Sequence, residues 1–349
     1  MKNFDINEDP HRRLNPLINE WVLVSPHRSK RPWQGQNETV TSASLPEYDE
    51  NCYLCPQNVR ANGMTNPNYE GCFVFENDFA AMKHDDIHFE ENIAETFFKA
   101  VPERGISKVV CFSPKHNLTL PEMEISDIEK IIAAWQFEYT ELGKLDFISY
   151  VQIFENKGSV MGCSNPHPHG QIWAQSSLPT QIEKTQLNLK NYFLKHNRSL
   201  LKDYLEQELQ QKVRVVSENE YFVALVPFWA IWPNEILLIS KRHFGAITEM
   251  TNPEINAFAC VLKEITIKFD NLFETSFPYS SGIHQTPTDG ELHPEWHFHM
   301  HFYPPLLRSA TVKKFMVGYE MMGEAQRDIT AEKSAEILRN LSTVHYKTK

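Results

Sequence analysis

The chain has 349 residues, of which 41% are hydrophobic and 23% charged, and is therefore long enough for one large or two ordinary globular domains. Its formal net charge of −11 argues against a nucleic-acid-binding protein, because phosphates require net or local positive charge. The sequence has no run of about 18 apolar residues and starts with a polar segment, so we expect no membrane span and a cytoplasmic location.

The first predicted strand, Trp21-Val22-Leu23-Val24, leads directly into a basic segment at residues 27–31. Loops that leave strands often carry ligand-binding side chains, and arginine offers a planar fork suited to phosphate. A short basic run is more commonly only a solvated surface, and that reading stays open here.

Cys52 and Cys55 form a C-x-x-C pair, which by itself fits either a redox pair or half of a zinc site. Six scattered cysteines are too few for a disulfide scaffold. No second C-x-x-C is present, so histidines would have to complete a zinc site.

The next elements predict a sheet with helices packed on it. Residues 108–112 form a buried-strand run, and a helix follows in which Ser126 and Glu129 have the spacing of a capping box. Residues 147–154 predict another strand, and residues 155–158 predict a turn before a histidine-rich stretch.

That stretch, residues 165–173, reads Asn-Pro-His-Pro-His-Gly-Gln-Ile-Trp. Because side chains alternate along a strand, His167, His169 and Gln171 should share one face. Burying them without partners would be costly, so they are expected to line a polar site, the alternative being a solvated loop. Pro168 cannot donate to a ladder and indicates that the strand begins at a sheet edge or end.

The second half repeats this order. Residues 179–211 predict one or two connecting helices, and the strand 235–239 is followed by Ser240-Lys241-Arg242-His243, which matches Ser113-Pro114-Lys115-His116. A helix capped by Thr251 and Glu254 and a second histidine strand come next. We predict an α+β fold of two similar halves, mainly antiparallel sheet with helices packed on it. Its parts are residues 1–178, a helical connection at 179–215, and residues 216–349.

The central position of His169 suits an attacking group. An imidazole that attacks phosphorus needs a free, neutral ring nitrogen, and a covalent phospho-histidine splits group transfer into two displacements. Gln171 cannot act as an acid or base but can hold a phosphoryl oxygen, which favours transfer between two phosphates over hydrolysis. Separately, His116 and His167 are candidates to complete a tetrahedral, structural zinc site with Cys52 and Cys55.

Several motifs together resemble the galactose-1-phosphate uridylyltransferase family, a branch of the histidine-triad superfamily. They are the His167–Trp173 stretch with residues 162–166 before it, the Cys52-x-x-Cys55 pair, and residues 25–35, 154–158, 276–279 and 301–311. The resemblance spans nearly the whole chain. It implies a ping-pong reaction in which UDP-glucose gives its uridylyl group to His169, and galactose 1-phosphate then takes that group.

The resemblance also assigns roles to individual positions. It implies zinc ligation by Cys52, Cys55, His116 and His167. It implies nucleotide-sugar contacts for Arg28, Arg31, Ala61, Asn77, Asp78, Asn156, Ser164 and Gln171. It implies contacts donated across a homodimer interface for Lys314, Phe315, Tyr319, Glu320 and Gln326.

One departure concerns the family's second metal site, often iron, which uses three histidines and a glutamate. His284, His299 and His301 match the histidines, but Thr185 stands at the glutamate position. Thr185 is a poor ligand for such a site, and Glu183 would point about 200° away around a helix. We therefore expect this second site, for iron or zinc, to be weak, water-completed or lost.

Other functions stay open at this stage. A related phosphorylase, or a transferase for another sugar 1-phosphate, would use the same histidine strand. A non-catalytic, zinc-stabilised nucleotide sensor would not need His169, and a purely structural protein would leave both histidine strands unexplained.

Overall fold

The computed structural model describes residues 2–30, 45–85 and 97–348. Arg31 lies outside the described residues. The strands are β1 (His11–Asn15), β2 (Glu20–Val24), β3 (Phe73–Glu76), β4 (Gly105–Cys111), β5 (Tyr150–Lys157), β6 (His169–Gln175), β7 (Val215–Glu218), β8 (Phe222–Leu225), β9 (Ile236–Ser240), β10 (Tyr279–His284), β11 (His299–Tyr303) and β12 (Ala325–Arg327). The helices are α1 (Ile125–Gly143), α2 (Thr180–His196), α3 (Leu200–Gln211), α4 (Asn252–Phe273), α5 (Tyr319–Met322) and α6 (Ala331–Arg339).

One antiparallel sheet of nine strands runs through both halves of the protein, in the order β3-β4-β6-β5-β10-β11-β9-β8-β7. The halves join where β5 pairs with β10, with Phe154 opposite Gly282 and Asn156 opposite Ser280. The two histidine strands, β6 and β11, flank this central pair. A smaller sheet of β1, β2 and β12 brings the N-terminal segment beside residues 325–327.

Helices cover both faces of the large sheet because its strands carry apolar residues on both sides. On β8, Phe222 and Ala224 pack with α1 and α4, whereas Val223 and Leu225 pack with α2 and α3. Each fully buried valine, leucine or phenylalanine side chain contributes about 1.5–3 kcal/mol through removal from water. These observations confirm the predicted α+β class.

Two local predictions were wrong at element ends. Helix α1 begins at Ile125 with Glu124 as its N-cap, so Ser126 lies inside the helix and does not cap it. Residues 155–157, predicted as part of a turn, belong to strand β5. The strand can continue to Lys157 because neighbouring elements supply partners for the buried side chains of Glu155 and Lys157. The ammonium of Lys157 lies 3.0 Å from Asp270. The capping box of Thr251 and Glu254 at the start of α4 is confirmed.

Within the described ranges, no helix is long and apolar enough to cross a membrane.

Candidate functional site

His169 is the first residue of β6, and the backbone fixes one of its ring nitrogens. Nδ1 lies 2.7 Å from the carbonyl oxygen of His167, so Nδ1–H donates to that oxygen and Nε2 keeps its lone pair. Burial lowers the pKa of His169, which favours the neutral ring. The strand starts after Pro168, which has no N–H to donate. His169 therefore has the chemistry of a nucleophile.

A compact group of metal-ligand side chains, Cys52, Cys55, His116 and His167, lies next to this histidine. Their ligand atoms are within 4.8 Å of one another, and all four residues are buried. Nε2 of His167 lies 2.8 Å from the carbonyl oxygen of Ser113, which places the ring proton there and leaves Nδ1 free for a metal. Burial lowers the pKa of His167 to about 4, so the ring is neutral, as ligation requires.

A cavity of about 320 Å³ opens beside His169, within the range of small-molecule sites. The structure brings predicted contact residues together on its wall: Ala61, Asn77, Asp78, Ser164, His169 and Gln171. The remaining lining, which sequence reasoning missed, is largely apolar and comprises Tyr53, Leu54, Phe75, Phe79 and Val109. Because side chains alternate along a strand, continuing the alternation of β3 places Phe75 on the same face as Asn77. The sequence could therefore have predicted Phe75 as a lining residue.

Asp78 has a fixed partner in this cavity. Its carboxylate lies 3.2 Å from the guanidinium of Arg60, and both side chains are only 7% exposed. Arg60 also lies over the ring of Phe75, 4.2 Å from its centroid. This contact holds the strand end and the Asp78 loop together on one wall of the cavity.

A second cavity, of about 260 Å³, meets the first at Ser164 and His169, which line both. Asn156 and Lys157 from the end of β5 lie on its wall, together with Gly158. His169 is therefore reached from two sides, with Gln171 on one and Asn156 on the other.

The remaining predicted contacts lie elsewhere. A third cavity, of about 350 Å³, is lined by Arg28, Lys314, Tyr319, Glu320 and Gln326 together with Leu23, Ser25 and Val317. It shares no lining residue with the cavities at His169. Lys314 contacts Glu320, and Arg28 Nε lies 3.0 Å from Asp328. Phe315 is 45% exposed and does not line this cavity.

His284, His299 and His301 form a second cluster, with ligand nitrogens within 4.8 Å of one another; His299 and His301 are buried and His284 is half-buried. Each leaves one buried ring nitrogen without a hydrogen-bond partner among the residues that the structure describes. Burial lowers the pKa of His284 to about 3 and that of His299 to about 4, so both rings are neutral. Thr185 is buried on α2 and Glu183 is exposed, so Glu183 does not stand in for the missing carboxylate.

The two histidine strands make matching backbone contacts. Nδ1 of His299 lies 2.7 Å from the carbonyl oxygen of His297, as Nδ1 of His169 does from that of His167. Nε2 of His297 lies 2.7 Å from the carbonyl oxygen of Ser240, the counterpart of Ser113. These matching contacts, together with the shared strand order, confirm the internal duplication.

The duplicated antiparallel sheet, with a backbone-held histidine at the meeting point of two cavities, is consistent with a nucleotidyltransferase. Comparison with known proteins narrows this class. Sequence profiles for galactose-1-phosphate uridyl transferase match residues 1–179 (N-terminal domain) and residues 184–349 (C-terminal domain). The chain belongs to the galactose-1-phosphate uridylyltransferase family.

Individual relatives agree over nearly full length. The galactose-1-phosphate uridylyltransferase of Haemophilus influenzae is 54% identical over 344 residues, covering 99% of this chain and 98% of that protein. The Saccharomyces cerevisiae enzyme of the same name is 49% identical over 360 residues, with the same shares covered. A solved uridylyltransferase structure matches with a TM-score of 0.74 at 26% identity, covering 94% of this chain and 97% of that one. An Arabidopsis thaliana ADP-glucose phosphorylase with bound ADP-glucose shares the fold, with a TM-score of 0.75 at 24% identity over 96% of this chain and 100% of that one.

Proposed function

We propose that this protein transfers the uridylyl group of UDP-glucose to galactose 1-phosphate, giving UDP-galactose and glucose 1-phosphate. The observation that carries the proposal is the free Nε2 of His169 between two cavities. The chain is also 54% identical to a galactose-1-phosphate uridylyltransferase. The cavity with Phe75, Asn77 and Asp78 offers apolar walls and polar ends suited to a nucleoside.

The chemistry divides into two displacements at phosphorus. In the first, Nε2 of His169 attacks the α-phosphorus of UDP-glucose, an N–P bond forms, and the P–O bond to the β-phosphate breaks. Glucose 1-phosphate leaves with that electron pair. In the second, a phosphate oxygen of galactose 1-phosphate attacks the same phosphorus, the N–P bond breaks, and the histidine is restored. The carbonyl of His167 keeps Nδ1–H in place throughout and stabilises charge on the ring.

Gln171 and Asn156 flank the reacting nitrogen with neutral amides. Neither can deprotonate water, so the uridylyl-histidine is protected from general-base hydrolysis while its oxygens can still be held by N–H donors. Ser164, which lines both cavities, is placed to donate to the same group.

The test is isotope labelling of the protein by UDP-glucose carrying label in the uridylyl phosphate. We expect an acid-labile adduct that galactose 1-phosphate discharges as UDP-galactose, and none in His169→Ala. ADP-glucose and ATP serve as competing donors, because preference for either would point to a phosphorylase. Stable labelling of His169→Ala would refute the proposal.

We further propose that Cys52, Cys55, His116 and His167 hold a structural zinc ion. Two thiolates and two neutral imidazoles are the ligand set of closed zinc sites. The ion would fix the segment just before β6, and so the carbonyl that orients His169, without touching the reacting phosphate. The three-histidine cluster supplies a second metal site of imidazoles alone, for which we expect low occupancy by iron or zinc because Thr185 replaces a carboxylate.

The active site is proposed to be shared across a homodimer. The cavity with Arg28, Lys314 and Glu320 is lined by cationic and polar groups but by no histidine, and it shares no lining residue with the cavities at His169. Two of its lining residues are exposed, Val317 by 58% and Tyr319 by 54%, and the residues that follow them are more exposed still, Met321 by 75% and Met322 by 87%. Exposed apolar side chains of this size in one segment fit a surface covered by a second copy.

Mixed dimers test this arrangement. If Lys314 serves the partner's His169, co-expressed His169→Ala and Lys314→Ala chains regain about a quarter of wild-type activity, because half of the dimers have one intact site. A matched pair, His169→Ala with Asn77→Ala, places both lesions on residues of the same site and should regain nothing. Equal recovery in the two mixtures would contradict a shared site.

Two further assignments remain proposals from the sequence. They are the division at residues 1–178, 179–215 and 216–349, and the cytoplasmic location.

A further inference from the structure

The side chains of Gln171 and Asn156 can act on a phosphate only if their NH₂ ends, and not their oxygens, face it. A carboxamide has a donor end and an acceptor end of nearly equal shape, and only its hydrogen-bond partners determine which end points where. An oxygen turned towards a phosphoryl group would repel it. Something in the structure must therefore set the orientation of both amides.

For Gln171 the determinant is Trp173. The indole Nε1 of Trp173 lies 3.1 Å from Oε1 of Gln171. An indole N–H is only a donor, so it requires the oxygen end of the amide and rejects the NH₂ end. With Oε1 held there, the NH₂ group is left for the cavity that Gln171 shares with His169. Among the described residues, no group accepts a hydrogen bond from it.

The indole itself is held in place by the sheet. Trp173 lies two residues beyond Gln171 on β6 and therefore on the same face. Phe154, directly opposite Gln171 on β5, meets the indole edge to face, with ring centroids 5.5 Å apart and planes at 86°. Aromatic pairs in this geometry are favourable, so the N–H direction is fixed before substrate arrives.

Asn156 has an equivalent partner from the other half of the protein. Ser280 lies opposite Asn156 where β5 pairs with β10, and its hydroxyl donates to Oδ1 over 2.7 Å. The NH₂ end of Asn156 is then left for the second cavity at His169. Ser280 thus connects the C-terminal half to the reacting group although it lines neither cavity at His169.

We infer that Trp173 and Ser280 are positioning residues, which turn the amides of Gln171 and Asn156 so that both present N–H donors to the phosphoryl group at His169. This inference rests on the proposed function. It adds two residues that line neither cavity at His169 and act through their amide partners.

A double-mutant cycle on the labelling step tests the inference. Trp173→Phe keeps an aromatic ring against Phe154 and deletes only the indole N–H. We expect it to slow formation of the uridylyl-enzyme about tenfold, the effect of losing one oriented hydrogen bond. In a Gln171→Ala background the same change should alter the rate less than about twofold, because the amide it orients is gone. Ser280→Ala, with and without Asn156→Ala, should behave the same way.

The outcomes separate orientation from packing. Trp229→Phe is the matched control, because that buried tryptophan packs on Tyr204 in the other half of the protein and should leave the rate unchanged. If Trp173→Phe slows labelling equally in both backgrounds, its role is structural and the inference fails. If it has no effect in the wild-type background, the inference also fails. Failure of the unmodified protein to form any adduct would instead overturn the proposed function.

Discussion

Gly170 separates the proposed nucleophile His169 from Gln171, and we predict that Gly170→Ala damages both stability and catalysis. A Cβ at this position would lie 2.8 Å from Cζ of Phe112 and 3.0 Å from the carbonyl oxygen of Phe154. The backbone oxygen cannot move without disturbing the β5–β6 ladder, and Phe112 is only 2% exposed. Relief therefore requires a shift of roughly half an ångström in the strand, which typically costs about 1–3 kcal/mol in a packed core.

The same shift would displace His169 from the line of attack. Misplacement by about 1 Å can cost around a hundredfold in rate, so we expect uridylyl-enzyme formation to slow about tenfold or more. Denaturant unfolding and single-turnover labelling measure the two effects. Gly71→Ala is the control, because its Cβ would meet only Cδ of Lys130 at 3.8 Å. Wild-type stability and rate in Gly170→Ala would refute the packing argument, and Phe112→Leu should restore part of both losses.

Three further predictions concern metals and acid stability. Cys55→Ser should reduce the zinc content from about one ion per chain to near zero and lower the free energy of unfolding by several kcal/mol, because metal binding stabilises the fold; zinc retained at the wild-type level would contradict the proposed ligand set. Thr185→Glu should raise the iron content of purified protein by supplying the carboxylate that the three-histidine cluster lacks, and unchanged metal content would show that the cluster is not a metal site. The hydrogen bond from Arg242 lowers the pKa of Glu254 to about 2, so its stabilisation is complete above about pH 4.5 and is lost as the pH falls towards 2. Glu254→Gln should lower stability at pH 7 by about 1–3 kcal/mol and make it less sensitive to pH between about 5 and 2, as measured by denaturant titration.

The sequence predicted best what depends on neighbours along the chain. Alternation placed His169 and Gln171 on one face, and the Thr251 capping box gave the start of α4 correctly, because both patterns extend over only a few residues. The Ser126 prediction failed for a local reason as well, since a helix that starts at Ile125, two residues earlier than a Ser126 cap implies, keeps the same apolar face.

What could not be predicted depends on distant parts of the chain. Strand β10 has the sequence Tyr-Ser-Ser-Gly-Ile-His, with little apolar alternation, yet it lies at the centre of the sheet because β5 and β11 supply its partners. Glu155 and Lys157 were predicted as turn residues because the partners of these two charged side chains are also distant in the sequence. Their burial is tolerated only because Tyr279 and Asp270, more than a hundred residues away, satisfy them. Nor could spacing show that Arg28 lies with Lys314 rather than with His169.

The two histidine strands make the same backbone contacts but differ in the side chains around the free ring nitrogen. His169 and His299 have the same backbone contact at Nδ1, and so both carry a free Nε2. Around His169 that nitrogen meets cavities, with a neutral amide at Gln171. Around His299 the corresponding position is His301, and His284 stands directly opposite on β10, so three imidazoles converge there. The fold thus supplies an oriented imidazole in both halves. The side chain two positions further along differs: it is an amide beside the proposed nucleophile and a third imidazole in the proposed metal cluster.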